Sequence, residues 1–165
     1  MNEEWIYVTE NNNTVRYILG TKGKKTLCCI GINPSTAEPN KPDRTIKAVK
    51  KIAQNNGYDS FIMFNVYPVR STIFEHLSQE ENKSYNKRNI KEILNVIKKL
   101  PKPVNIWVAY GNHIDERKYT RECFNNLKKE LDTFDCKYWS GGLTKNGNPR
   151  HPLYLNRETK LQEYN

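Results

Sequence analysis

Three short stretches of this chain carry side chains suited to chemistry, and each follows an apolar run. The first is Gly31-Ile32-Asn33-Pro34-Ser35-Thr36. Pro34 has no backbone N–H and holds the residue before it extended. Asn33 therefore presents a side-chain amide, one donor group and one acceptor, where the apolar run ends. Gly31 allows a ligand or another backbone to come close. Ser35 and Thr36 add hydroxyls and backbone N–H groups. The same residues also fit an ordinary Asn-Pro-Ser turn closed by local hydrogen bonds.

The second stretch is Asn65-Val66-Tyr67-Pro68-Val69-Arg70-Ser71-Thr72. A side-chain amide at the end of a fully apolar segment must find partners. Asn65 can read a base edge with its donor and acceptor, or it can bond neighbouring backbone as a structural residue. Arg70 is a candidate phosphate contact. The third stretch runs from Thr144 to Leu155, with His151 between Pro149 and Pro152 and beside Arg150. Prolines stiffen a loop and fix where an imidazole points, which suits proton transfer or charge stabilisation. A lone histidine is more often structural. The setting of His151 separates it from His76 and His113, which read as surface residues.

The elements that must position these loops follow from the apolar pattern. Trp5-Ile6-Tyr7-Val8 and Val15-Arg16-Tyr17-Ile18-Leu19 flank the polar run Glu10 to Asn13 and read as a β-hairpin. Leu27 to Ile32, Phe61 to Phe64 and Val104 to Gly111 are continuously apolar or nearly so, as buried parallel strands are. Cys136 to Trp139 reads as a short fourth strand. Asp43 can cap a helix with Ile46, Val49, Ile52 and Ala53 on one face, ended by Gly57. A second helix carries Ile90, Ile93, Leu94 and Ile97 and stops at Pro101 and Pro103; a third carries Tyr119, Cys123, Leu127 and Leu131. Strand and helix alternate, so the expected fold is a three-layer α/β/α sandwich. Its central sheet is expected to be four-stranded and mostly parallel, with an N-terminal β-hairpin added. In such sheets ligands bind beyond the carboxyl ends of the strands, which is where the three loops fall.

Bulk properties limit the function classes. A length of 165 residues fits one α/β domain over 1–165. No apolar run approaches the ~20 residues that span a bilayer. The start Met1-Asn2-Glu3-Glu4-Trp5 is too polar for a signal peptide. The expected location is the cytoplasm, without a membrane partner. Cys28, Cys29, Cys123 and Cys136 form no CxxC pair, and the adjacent Cys28 and Cys29 face opposite sides of a strand; they read as free thiols, and no metal site is expected. The net charge of +9, from 27 basic and 18 acidic residues, suits a polyanionic partner such as nucleic acid. A Lys- and Asn-rich composition from an AT-rich genome gives the same excess.

Taken together, GINPSTAEPNKPDRT, FNVYPVRST and GNPRHPLYL resemble the bacterial and phage family catalogued as domain of unknown function 1643, over about residues 14 to 160. A more distant likeness is to the uracil-DNA glycosylase superfamily. GINPS resembles the first motif of its mismatch-specific branch, the Asn65 to Arg70 pattern resembles the strand-end asparagine motif of its thermostable branch, and HPLYL resembles its late His-Pro motif. That resemblance implies a uracil-DNA glycosylase-like fold with a water oriented by Asn33, a base read by Asn65, and a departing base anion stabilised by His151. Asp43 and Arg44, characteristic of the uncharacterised family, would support them. The remaining residues of the implied substrate site are Gly31, Ile32, Pro34, Ser35, Thr36, Tyr67, Arg70 and Arg150. Two features depart from the superfamily: no aromatic follows the first loop, leaving Tyr67, Tyr154 or Trp139 as substitutes, and the iron–sulfur cysteines of the thermostable branch are missing.

The leading expectation is a DNA base-excising N-glycosylase, its substrates including modified bases, with no metal or other cofactor required. One alternative is a non-catalytic nucleic-acid- or nucleotide-binding module on the same fold. Another is N-glycoside hydrolysis of free nucleosides or nucleotides. Basic side chains ringing the three loops would favour a polymer, and a closed small pocket would favour a nucleotide.

Overall fold

The computed structural model describes residues 3–165; Met1 and Asn2, from the polar start considered above, lie outside them. Leu27, Cys29 and their neighbours in the apolar runs alternate between two faces, and both faces are covered. The strands are β1 (Trp5–Glu10), β2 (Val15–Thr21), β3 (Thr26–Gly31), β4 (Ser60–Asn65), β5 (Val104–Val108), β6 (Cys136–Ser140) and β7 (Gln162–Glu163). The helices are α1 (Arg44–Asn55), α2 (Lys83–Lys99) and α3 (Lys118–Leu131).

Along the sheet the order is β1-β2-β4-β3-β5-β6-β7. The central four, β4-β3-β5-β6, are parallel. This corrects the expected strand number: the sheet has seven strands, not four. The hairpin is not an appendage. Its strand β2 pairs antiparallel with β4 through Leu19–Met63 and Gly20–Ile62, and β7 pairs antiparallel with β6 at the other edge. Asn11, Asn12 and Asn13 turn the hairpin with φ of 52°, 50° and 67°, a conformation that asparagine tolerates better than most residues.

The two faces hold separate cores. Cys28, Ile30, Ile62, Phe64, Ile106 and Val108 pack on one side under α2 and α3, which contribute Ile93, Ile97, Cys123, Leu127 and Leu131. Leu27, Cys29, Phe61, Met63 and Trp107 pack on the other under α1, through Ile46, Val49, Ile52 and Ala53. Adjacent Cys28 and Cys29 thus enter different cores, and all four cysteines are free. Burial on both faces is why these strands read as unbroken apolar runs. Each fully buried aliphatic or aromatic side chain contributes roughly 1.5–3 kcal/mol. Among the described residues, no helix is long and apolar enough to cross a membrane.

The topology decides where a ligand can sit. After β3 the chain turns to α1 on one face, and after β5 it turns to α3 on the other. The loops leaving these neighbouring strands diverge, and a crevice opens between them.

Candidate functional site

That crevice is a cleft of about 1240 Å³, built by the loops that follow β3, β4, β5 and β6. From the loop after β3 it takes Ile32, Asn33, Ser35, Thr36, Asp43 and Arg44. The loop after β6 adds Arg150 and His151. All three stretches singled out from the sequence therefore reach one cavity, the second through Ser71 and Thr72 alone.

Asn33 is half-buried at the cleft floor. Its Nδ2 donates to the carbonyls of Pro34 (3.1 Å), Val69 (3.3 Å) and Ser71 (3.1 Å). Three carbonyls around one end of the amide fix that end as the NH2 group. The side chain thereby ties the loop after β3 to the loop after β4. Among the described residues nothing donates to Oδ1, so this oxygen remains able to accept a hydrogen bond from a water or a ligand.

His151 is set by its own loop. Its Nδ1 accepts the backbone N–H of Leu153 at 3.2 Å, capping the short 3-10 turn Pro152–Tyr154. The neutral ring must then carry its proton on Nε2. Burial pushes the imidazole pKa down to about 4, with nearby His113 lowering it further and Asp43 opposing. At neutral pH His151 is therefore an uncharged hydrogen-bond donor. Gly111, with φ of 71°, makes room for it: a Cβ there would lie 3.2 Å from the His151 Cβ.

Asp43 is the N-cap of α1, its Oδ1 accepting from the Ile46 N–H at 2.9 Å. Its second oxygen accepts no hydrogen bond among the described residues. Replacing Asp43 by alanine is expected to cost about 1 kcal/mol of stability, measurable as a lower urea midpoint. An unchanged midpoint would mean that the cap contributes nothing. Arg44, at the first turn of the same helix, is exposed on the cleft rim.

Five residues of the expected site do not line this cleft. Gly31 is buried, and a Cβ on it would meet Met63 Cε at 2.6 Å and Asn65 Oδ1 at 2.9 Å. Its smallness accommodates neighbouring side chains, not a ligand. Pro34 is buried and offers its carbonyl to Asn33 and to the Ser71 N–H. Asn65 is 1% exposed beside Gly31, with its Nδ2 buried and unpartnered. The Tyr67 hydroxyl accepts the N–H of Asn82 at 2.8 Å, fixing the start of α2. Arg70 spends its guanidinium on the carbonyls of Ser35 and Ala37, the Tyr7 hydroxyl and Asn13 Oδ1. Arg70 does border a shallow depression beside the cleft, together with Ser35, Thr36, Ser71 and Thr72.

The cleft also contains residues that the sequence reading passed over. His113, read from the sequence as a surface residue, lies partly exposed on its wall. Its ring stacks on Phe74 at 4.7 Å with planes 12° apart, and its Nδ1 lies 2.7 Å from Glu116 Oε1. The pair was visible as His113 and Glu116 three residues apart; the Phe74 platform was not, because it comes from the distant loop after β4. Of the three aromatics considered as stacking residues, only Tyr154 lines the cleft, 73% exposed and with its ring centre 5.9 Å from that of His151. The Trp139 indole N–H instead donates to Asn105 at 3.0 Å. Lys47 and Lys145 join Arg44 and Arg150 around the opening.

An α/β protein with a cleft of mixed polar and apolar lining at the carboxyl ends of its parallel strands is the class these features define. The chain belongs to the family described as protein of unknown function (DUF1643), which matches residues 16–153. No curated protein and no solved structure matches it.

Proposed function

We propose that this protein is a base-excising N-glycosylase acting on DNA, with a uracil-DNA glycosylase-like fold and modified bases among its substrates. The observation that carries the reading is His151. It is an imidazole held neutral, with Nδ1 occupied by the Leu153 N–H, at a cleft it shares with the free Oδ1 of Asn33. N-glycosidic cleavage needs charge stabilisation on the departing base more than a strong nucleophile. A fixed neutral N–H donor supplies it without reorganisation. Asn33 Oδ1 would accept from the attacking water at the sugar C1′, leaving capture of the oxocarbenium-like centre to a weakly activated nucleophile. Tyr154, exposed on the rim, supplies a flat face for a base flipped out of the duplex.

The rim supports a polymer over a free nucleotide. Arg44, Lys47, Lys145 and Arg150 line a cleft whose volume, about 1240 Å³, exceeds the roughly 300–1,000 Å³ of small-ligand pockets. Replacing Arg44, Lys145 or Arg150 singly by glutamine is expected to weaken DNA binding and reduce the salt slope by about one. Titrations at several salt concentrations measure it; slopes equal to wild type in all three variants would remove the rim from the DNA path.

The burial of Asn65 favours the second reading, a nucleic-acid-binding module without turnover, because base reading by Asn65 would need the strand end over it to move. One experiment separates the two. DNA carrying a panel of normal and modified bases is incubated with the protein, and released base is sought by mass spectrometry. Release of a free base with formation of an abasic site is the expected result. No release from any substrate, with tight binding retained, would establish the binding module instead.

A further inference from the structure

We propose that Glu75, His113 and Glu116 form a binding site for a divalent transition-metal ion on the wall of the cleft. One ligand atom from each of the three lies within 4.8 Å of the other two. Metal–ligand bonds near 2.0–2.2 Å require the ligand atoms to draw closer, on the order of 3 Å apart. Glu75 and Glu116 are exposed, so packing does not fix their side chains against such closure.

The arrangement is more ordered than a chance meeting of surface charges. The imidazole plane of His113 is held by its stack on Phe74. Arg117 fastens together the two turns that carry the ligands. Its guanidinium donates to the carbonyls of Glu75 and Leu77, both at 2.9 Å, and of Glu116 at 3.2 Å. That side chain is therefore spent on backbone and does not neutralise the carboxylates directly. Glu116 pairs with His113, while Glu75 makes no ion pair among the described residues. Two carboxylates thus converge on one imidazole, and among the described residues no Lys or Arg pairs with either carboxylate. A divalent cation resolves that imbalance.

The donor set selects the ion. One imidazole nitrogen with two carboxylate oxygens suits Mn2+, Co2+ or Zn2+, whereas Mg2+ and Ca2+ favour all-oxygen sites. Three protein ligands leave coordination positions open, and His113 and Glu116 both line the cleft, so those positions lie where a ligand oxygen can reach. The ion would also add positive charge near His151, whose imidazole already responds to His113, and so reinforce its neutral state. The site does not depend on which reaction the cleft carries out.

The test uses the untagged full chain stripped with a chelator. Zn2+ binding is followed by calorimetry and Mn2+ binding by electron paramagnetic resonance. One ion per chain is expected, with affinity falling about tenfold or more in H113A, E75Q and E116Q, and unchanged in H76A, which alters an exposed histidine nearby. Equimolar Mg2+ is expected not to compete. Failure of both ions to bind, or binding that survives both H113A and E116Q, would overturn the site. Effective competition by Mg2+ would overturn the assignment of a transition metal.

Discussion

Replacing His151 by alanine is expected to reduce base release by about 10²- to 10³-fold while leaving the fold intact. The magnitude is that of removing one preorganised donor from a developing anion. The ring can be lost without a core defect because it is half-buried and caps only the short turn Pro152–Tyr154 through the Leu153 N–H. The pH dependence gives the second half of the prediction. With a pKa near 4, His151 stays neutral through the physiological range. Activity should not fall through a step near pH 6.5, where a solvated histidine would titrate, but only as pH approaches about 4. Stability follows the same group with a definite sign. The unfolded chain takes up this proton below about 6.5 and the folded chain only near 4. Acidification between those values therefore destabilises wild type more than His151→Ala. Urea midpoints of both proteins from pH 7 to 5 measure the difference. Equal pH slopes, or wild-type turnover in the variant, would remove His151 from the role assigned to it.

Asn33 is expected to be as necessary for turnover, but its replacement is not structurally silent. Its Nδ2 joins two loops through the carbonyls of Pro34, Val69 and Ser71. Alanine leaves three acceptors without that donor, and aspartate would set a carboxylate against them. For this reason His151 offers the cleaner separation of chemistry from stability.

The parts of the fold that were legible are those in which one strong signal acts alone. β3, β4 and β5 are covered on both faces, so uninterrupted apolar runs identify them. The strands flanking this parallel centre were less legible. β2 contains Arg16, which is 2% exposed, and a buried charge interrupts the pattern that would mark a fully packed strand. Its Nη1 donates to the Ala37 carbonyl at 3.3 Å, a partner that no local rule points to. β7 has only two residues and pairs through backbone. In the cleft, proline spacing located Asn33 and His151 because it restrains the chain locally. The direction of the second loop was not readable in that way. Asn65 and Tyr67 lie two positions apart, and the chain around them sends one beneath Gly31 and the other against Tyr119 and the start of α2. His113 gains its place from Phe74 and Glu116 together, and only the latter is near it in sequence.

Arg70 shows how a residue suited to phosphate can be committed to architecture, and Arg70→Ala is expected to cost roughly 3 kcal/mol of stability. The guanidinium donates to the Ser35 carbonyl, to the Ala37 carbonyl at 3.2 Å, to the Tyr7 hydroxyl at 2.7 Å and to Asn13 Oδ1 at 3.1 Å. One side chain thereby joins the loop bearing Asn33 to β1 and the hairpin turn. Bonds to a charged donor are worth about 1.5–3 kcal/mol each, but two effects reduce the sum. The Arg70 Nε is already buried without a partner. Arg16 lies beside it, and burial together with the Arg70 charge brings the Arg16 pKa down to about 10, so removing Arg70 relieves a like-charge contact. Lysine discriminates between clamp and phosphate contact, since it keeps the charge but not the planar fork. If Arg70 is a clamp, Arg70→Lys should lose most of the stability that Arg70→Ala loses, and neither should change the salt slope of DNA binding at temperatures where the variants are folded. If it contacts phosphate, Arg70→Lys should be nearly as stable as wild type, and Arg70→Ala should lower the slope by about one. The geometry favours the clamp: four acceptors already surround the guanidinium, and a phosphate would have to compete with them.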